Sequence, residues 1–541
     1  MAGFKVTRIS EGPVKPASAT PEETLPLAWV DRYPTHRGLV ESMHIFRSGA
    51  DEAPAVIREA LGKALAYFYP LAGRIVEGDE PGCPAIRCTA DGVYFAEAEA
   101  DCSLEDVRFL ERPLLLPKED LVPYPGDDRW GVEPHNTIMM MQLRSIAVAC
   151  GRGFAGSGSL SAVDLGSRGE RSKASGLPGK VAVGMDGLSV NVVGGWSGSV
   201  DMAVPWCAFV LQREELARSD ADAGQNGLEI SRLLTPGVLE LDARRVSWVG
   251  RQARSPVLND ILVWFQITKF TCGGFVMGLR FNHASADGMG AAQFINAVGD
   301  MARGLTEPKV KPVWHREKFP NPKIKPGPLP ELPVLALDYI VLDFPTGYLD
   351  DLKKQYKAHS GKFCSGFDVL TAKLWQCRTR ALNLEPSAEV KLCFFASVRH
   401  LLKLDRGYYG NSIFPVKMSA PAEKVLGSSI MEVVDMIRQA KDRMTVEFFQ
   451  FAKEETDQDP FQMTFNYESI YVSDWSKLGF SEVDYGFGPP VFAGPLVNND
   501  FIASVVILKA PLPLDGTRML ASCVTKEHSE EFVRGMKADL P

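Results

Sequence analysis

Two side chains able to move or hold a proton stand four residues apart in Phe275-Val-Met-Gly-Leu-Arg-Phe-Asn-His283-Ala-Ser-Ala-Asp287-Gly288. A neutral imidazole, with an ordinary pKa of about 6.5, can take the proton of an attacking hydroxyl or amine in the transition state, help worth about 10²–10⁴-fold in rate. The apolar run predicts a strand in which Phe275, Met277, Leu279 and Phe281 share a face with His283, which sets the imidazole at the strand's inner, apolar end. Beyond it, Gly288 to Arg303 reads as a helix with Met289, Ala292, Ile295, Val298, Met301 and Ala302 on one face. Each residue also has a plain reading: His283 as a core histidine satisfied by a backbone carbonyl, Asp287 as the N-cap of that helix. The whole H-x-x-x-D-G string at a strand-to-helix junction favours chemistry, because the spacing lets the His face a channel while the Asp turns back to brace the loop.

A second string, Asp484-Tyr485-Gly486-Phe487-Gly488-Pro489, lies downstream and by itself would be a glycine-rich turn with aromatic anchors. Together the two strings resemble the H-x-x-x-D-G and D-F-G-W-G-x-P signatures of the BAHD family of plant acyltransferases, with Tyr485 and Phe487 in place of the family's Phe and Trp. Tyr69-Pro-Leu-Ala-Gly-Arg74, Ala372-Lys-Leu-Trp375 and Gly407-Tyr-Tyr-Gly-Asn411 are similar to family segments too, and Phe270-Thr-Cys-Gly-Gly-Phe275 resembles the benzoyl, hydroxycinnamoyl and taxane transferase branch.

The resemblance implies an α/β protein of two similar-sized chloramphenicol-acetyltransferase-like domains with mixed sheets and an active-site channel at their interface. It implies that His283 acts as base at mid-channel, and that Asp287 pairs with an arginine of the second domain, here Arg399. Gly288, Asp484, Gly486 and Gly488 would be structural motif positions, and Ser473 and Trp475 would stand where the family aims donors at the oxyanion. A surface serine and a packing tryptophan are the alternative for that pair. Ser397 replaces the Asp that the family usually carries two residues before this Arg, so the local network is open.

Around these strings, Thr268 to His283 reads as strand, Gly273-Gly274 turn and strand, and Pro84–Cys88 and Val93–Ala98 as a hairpin about Asp91-Gly92. Residues 1–142 and 267–306 are expected to form the first acyltransferase domain, 307–333 a Pro-rich crossover and 334–541 the second, opening on a strand at Val334–Leu342. Residues 143–266, rich in Gly, Ser, Arg and Val, read as an atypical insertion that loops out largely disordered from a strand joining Thr137–Gln142 to Ile267. A genuine extra subdomain, with Ile261–Phe265 as a replacement half-strand, is the alternative.

A net charge of -8 argues against nucleic acid as the main partner. The ten cysteines form no CxxC pair, so no metal site or redox motif is expected. No apolar run is long enough to span a membrane, and the expectation is a cytoplasmic monomer. The resulting reading is transfer of an aromatic acyl group, benzoyl or hydroxycinnamoyl, from coenzyme A to a hydroxyl or amine of a small molecule. No cofactor is bound, acyl-CoA is the co-substrate, and no acyl-enzyme forms. The alternatives are a catalytically impaired relative serving as a binding or scaffolding protein, and a condensation-type thioester transferase.

Overall fold

The computed structural model describes residues 3–33, 36, 38–78, 83–123, 180–184, 191–193, 238–242, 260–323, 333–496 and 501–540. Its strands are β1 (Val6–Val14), β2 (Leu39–Phe46), β3 (Val93–Ala100), β4 (Val263–Lys269) and β5 (Phe275–Asn282) in the first half. The second half supplies β6 (Ile340–Phe344), β7 (Glu389–Ser397), β8 (Ile413–Pro421), β9 (Ser469–Asp474), β10 (Phe492–Pro495), β11 (Ser504–Lys509) and β12 (Thr517–Ser522). Two six-stranded mixed sheets result, ordered β1-β3-β4-β5-β2-β10 and β6-β12-β11-β9-β7-β8.

β5 lies inside the first sheet with every residue buried, which is why its sequence is apolar with scarcely a break. Its odd residues, Phe275 to Phe281, pack beneath the helices α1 (Ala53–Tyr67) and α2 (Gly288–Ala302). The second sheet is covered by α3 (Thr346–Ser360), α4 (Gly366–Leu382) and α5 (Ile430–Ala452), around a core that includes Trp375, Phe414, Phe448 and Phe461. α4 and α5 both begin at serine capping boxes, Ser365 with Asp368 and Ser429 with Glu432. Two α/β domains with mixed sheets are thus in place, but they are not separate in sequence. β10 comes from the second half and adds to the edge of the first sheet, with Phe492 opposite Ile45 and Pro495 opposite Ser42.

Several expectations are corrected. Asp91-Gly92 does turn the chain, with Gly92 at φ 92, but the strands on either side go to different sheets: Pro84–Arg87 pairs with Arg74–Glu77, and β3 with β1 and β4. The turn supplied the hairpin signal; the apolar faces of the two strands belong to different layers. The strand expected at Val334–Leu342 begins only at Ile340, and 307–333 is no bare connector, since Arg316 within it is buried at 2% exposure. Met289, expected on the buried helix face, is 41% exposed, and its sulfur accepts from Arg399.

The expected insertion at 143–266 lies largely outside the described residues, as do Thr137–Gln142. The chain divides into two compact units, Met1–Ile138 with Val257–Pro541, and Met139–Pro256. Within it Asn191–Val193, Lys180–Gly184 and Val238–Asp242 pair in that order as a small antiparallel sheet. The far boundary needs correcting, because β4 starts at Val263, inside the proposed insertion. Val263 and Phe265 share the buried face of Ile267. Gln266, placed at the end of the insertion, is buried and donates its amide to Asp120 O at 2.6 Å and Thr268 Oγ1 at 3.0 Å.

Candidate active site

β5 ends at Asn282, whose side chain accepts from Ala284 N at 2.9 Å while its carbonyl takes the Ser285 hydroxyl at 2.6 Å. This tight knot swings the chain from strand to α2 and leaves His283 at the bend. Its main chain is tied on both sides: N–H to Gly38 O at 3.0 Å, and carbonyl from Asn411 Nδ2 at 2.7 Å. His283 is half-buried, and its Nδ1 is fully buried without a partner in full hydrogen-bonding geometry among the described residues. Burial pushes the imidazole below its usual range; the Asp287 carboxylate, the residue's own main chain and the Asn411 amide oppose this only in part. The ring therefore stands neutral at physiological pH, the form a base needs.

Asp287 turns away, as its spacing suggested. It caps α2 by accepting from Gly290 N at 2.9 Å, and it takes both Arg399 Nη1 and Nη2 at 2.9 Å in a bidentate pair. Ser412 N donates to the same carboxylate at 3.2 Å, and Arg399 also reaches Gly410 O at 3.1 Å. The plain and the functional reading of Asp287 therefore hold together: it is an N-cap and a brace. Asp287→Asn keeps the cap acceptor but strips the charge from the Arg399 pair, so stability is expected to fall by about 2 kcal/mol, with activity falling alongside. Urea denaturation and initial rates check this; unchanged stability with an altered pH–rate profile would instead put the carboxylate in the reaction.

A buried network that sequence reasoning missed holds the other side of this loop. Asp31 and Arg316, at 0% and 2% exposure, pair through Nε at 3.1 Å. Arg316 also donates to Ser285 O at 2.7 Å, and Asn411 reaches Asp31 through Nδ2 at 2.8 Å. Asn411 lay in a segment already noted, but neither Asp31 nor Arg316 carried a local signal. His36 escaped notice as well, and its ring stacks on that of His283 with centroids 5.2 Å apart and planes 18° apart.

Gly288 opens α2 with Leu478 packed so close that an added Cβ would lie 2.5 Å from its Cδ1. The Asp484–Gly488 segment is a turn closed by its own aspartate, since Gly486 N and Gly488 N donate to Asp484 Oδ1 at 2.8 and 2.9 Å. Gly486 and Gly488 have φ of 100° and 82°, a region that favours glycine. Arg303, the C-cap of α2, donates to Asp484 O. Tyr485 and Phe487 pack into the first domain against Phe46 and Phe275, at 5.6 and 5.9 Å. The segment is therefore a plug between domains and not a group beside the imidazole. Tyr485 is fully buried with its hydroxyl unpartnered among the described residues, so Tyr485→Phe is expected to keep activity and add about 1 kcal/mol of stability. A lower urea midpoint for the variant would show that the hydroxyl is bonded in solution.

Ser473 and Trp475 are brought together at the end of β9. The indole Nε1–H donates to Ser473 Oγ at 3.0 Å, and Ser473 is exposed. Neither makes a hydrogen bond or ring contact with His283 among the described residues.

His36 and His44 are both pushed down to about 3, chiefly by burial. Below about pH 6.5 the unfolded chain binds protons at these positions that the native state does not. Stability should thus be lost as pH falls from about 6.5 towards 3, by about 1.4 kcal/mol per pH unit for each imidazole. Urea midpoints at pH 7 and pH 5 test this above most of the carboxylate range; equal midpoints would contradict it.

A family model described as "Transferase family" matches residues 4–132 and 251–539. The chain is 70% identical over 544 residues to "Acyl transferase 9" of Oryza sativa subsp. japonica, covering 100% of both. It is 28% identical to a "Myricetin 3-O-glucosyl 1,2-rhamnoside 6'-O-caffeoyltransferase" of Crocosmia x crocosmiiflora, covering 98% of each. Vinorine synthase shares the fold, with a TM-score of 0.58 at 14% identity over 99% of this chain and 98% of its own. With most of the chain matched by the family model and a close relative aligned end to end, the chain belongs to the transferase family of BAHD acyltransferases, enzymes that draw their acyl group from acyl-CoA.

Proposed function

We propose that the protein transfers an aromatic acyl group from coenzyme A to a hydroxyl or amine of a small-molecule acceptor, with His283 as the general base. The observation that carries this is the imidazole of half-buried His283, held neutral at the end of β5, with both sides of its main chain tied and Asp287 turned away to brace it. His283 takes the acceptor proton as that oxygen or nitrogen attacks the thioester carbonyl, forming the new C–O or C–N bond. The tetrahedral oxyanion then collapses, the C–S bond breaks, and the proton passes from His283 to the leaving thiolate. Ser473 accepts from Trp475, so the pair offers the oxyanion one donor, the serine O–H.

The aromatic part of the reading draws support from the caffeoyltransferase likeness and from Phe395, 39% exposed, and Phe461, whose rings lie 6.4 and 6.0 Å from His36. The protein would work as a cytosolic monomer with acyl-CoA as co-substrate. Residues 143 to about 256 are read as an insertion carried by the transferase fold, in keeping with the gap between the two matched spans. The test supplies benzoyl-, hydroxycinnamoyl- and acetyl-CoA with a panel of alcohols and amines, to the full chain and to a variant lacking residues 143–256. One free coenzyme A per ester or amide is expected from both, fastest with an aromatic donor. Thiol release that ignores the acceptor would defeat the reading.

A further inference from the structure

Among the described residues no carboxylate bonds the ring of His283. In serine-hydrolase triads a carboxylate bonds the second ring nitrogen of the catalytic histidine. Here Nδ1 of His283 has no carboxylate partner among the described residues, the polar groups beside the ring being its own main chain and the Asn411 amide, and the nearby carboxylates are committed elsewhere: Asp287 to Arg399 and Ser412, Asp31 to Arg316 and Asn411. What touches the ring are other rings, Phe281 at 6.3 Å with planes 35° apart and His36 at 5.2 Å, nearly parallel.

His36 is itself fixed. Its Nδ1 lies 2.6 Å from Val30 O, and since a carbonyl only accepts, that nitrogen carries the proton. Tyr33 at 5.9 Å, Phe461 and Phe395 surround it. At 5% exposure it stays neutral through the working range, so it presents His283 with an aromatic face and not a charge.

We propose that His36 is a positioning residue for the reaction, its neutral ring holding the plane of His283 by stacking and stabilising the imidazolium that forms when the acceptor's proton is taken. This rests on His283 being the base. A cation within about 6 Å of an aromatic centroid is attracted to the ring face, more strongly when desolvated. The charged groups facing the pair are Asp287 and Asp31, each neutralised by an arginine. Tyr33 is held protonated, its hydroxyl pushed up by burial and by Asp459. The stack is thus the contact that loss of the His36 ring changes.

Three full-length variants test it. His36→Phe keeps a ring face, His36→Leu keeps bulk without one, and His36→Gln can keep a donor to Val30 O without a ring. The Leu and Gln variants are expected to lose about tenfold in kcat with little change in KM for acyl-CoA, while Phe stays within about threefold of the parent. In Leu and Gln the acid limb of the kcat profile should move to lower pH, because the imidazolium is less stabilised; in Phe it should stay. Should Leu fold poorly, Gln carries the comparison. An unmoved limb in the ringless variants, or Phe as impaired as Leu, would overturn the proposal. NMR titration of the His283 ring separates this from the base assignment. If its midpoint drops in Leu and Gln while the rate profile ignores it, the rings interact but His283 is not the base, and the proposal falls with that reading; if neither moves, the stack itself has no effect.

Discussion

Turnover of the His283→Ala variant is expected to fall at least about a hundredfold while the protein stays folded. The fold should survive because the hydrogen bonds found for this residue are main-chain ones, to Gly38 and Asn411, and the ring contributes mainly its stack with His36. Removing a group that acts in the transition state lowers kcat and kcat/KM together, with KM for acyl-CoA little changed. The acid limb of the rate profile should vanish with the imidazole. Initial rates with a donor of proven thioester content, beside a thermal melt, make the measurement. Near-normal rates would remove His283 from the mechanism.

The largest expected loss of stability comes from Arg316→Met, which leaves the carboxylate of Asp31 buried without its cation. Breaking one side of such a pair costs about 3–5 kcal/mol, mostly through the charge left behind. Activity should fall with it, because Arg316 holds Ser285 O and, through Asp31, the Asn411 amide that holds His283 O. Adding Asp31→Asn removes the orphaned charge while keeping an acceptor for Ala28 N, so the double variant should regain at least about half of the loss. Urea denaturation of the two single variants and the double decides it. A single variant as stable as the parent would mean that Asp31 is not charged in the native state.

What the sequence announced was local. Phe275 to Gly288 predicted a strand, a bend and a helix because the strand's apolar face and the helix cap lie within fourteen consecutive residues, and the structure has all three. The Asp287–Arg399 pair was legible only through the family resemblance, since nothing in either residue's surroundings names the other. The Asp31–Arg316 pair and the His36 stack were not legible at all. Their members meet across chain separations of 285 and 247 residues (316 minus 31; 283 minus 36), with no periodicity or motif to join them. The boundary at Gln266 was misplaced because it was set by joining Thr137–Gln142 to Ile267 as one strand, whereas Val263–Gln266 supplies the first part of β4.

The seating of β10 on the edge of β2 bears on how the protein is made. During synthesis β2 emerges well before Phe492–Pro495, which lies in the far half of the chain. Until then the first sheet keeps an open edge whose Met43, Ile45 and Phe46 are all buried in the finished molecule. An open apolar edge invites pairing with other chains. Nascent chains stalled before Phe492 should therefore associate with one another or with chaperones. For the same reason a gene cut at the Pro-rich crossover would yield a first fragment that stays soluble only when the second is made beside it.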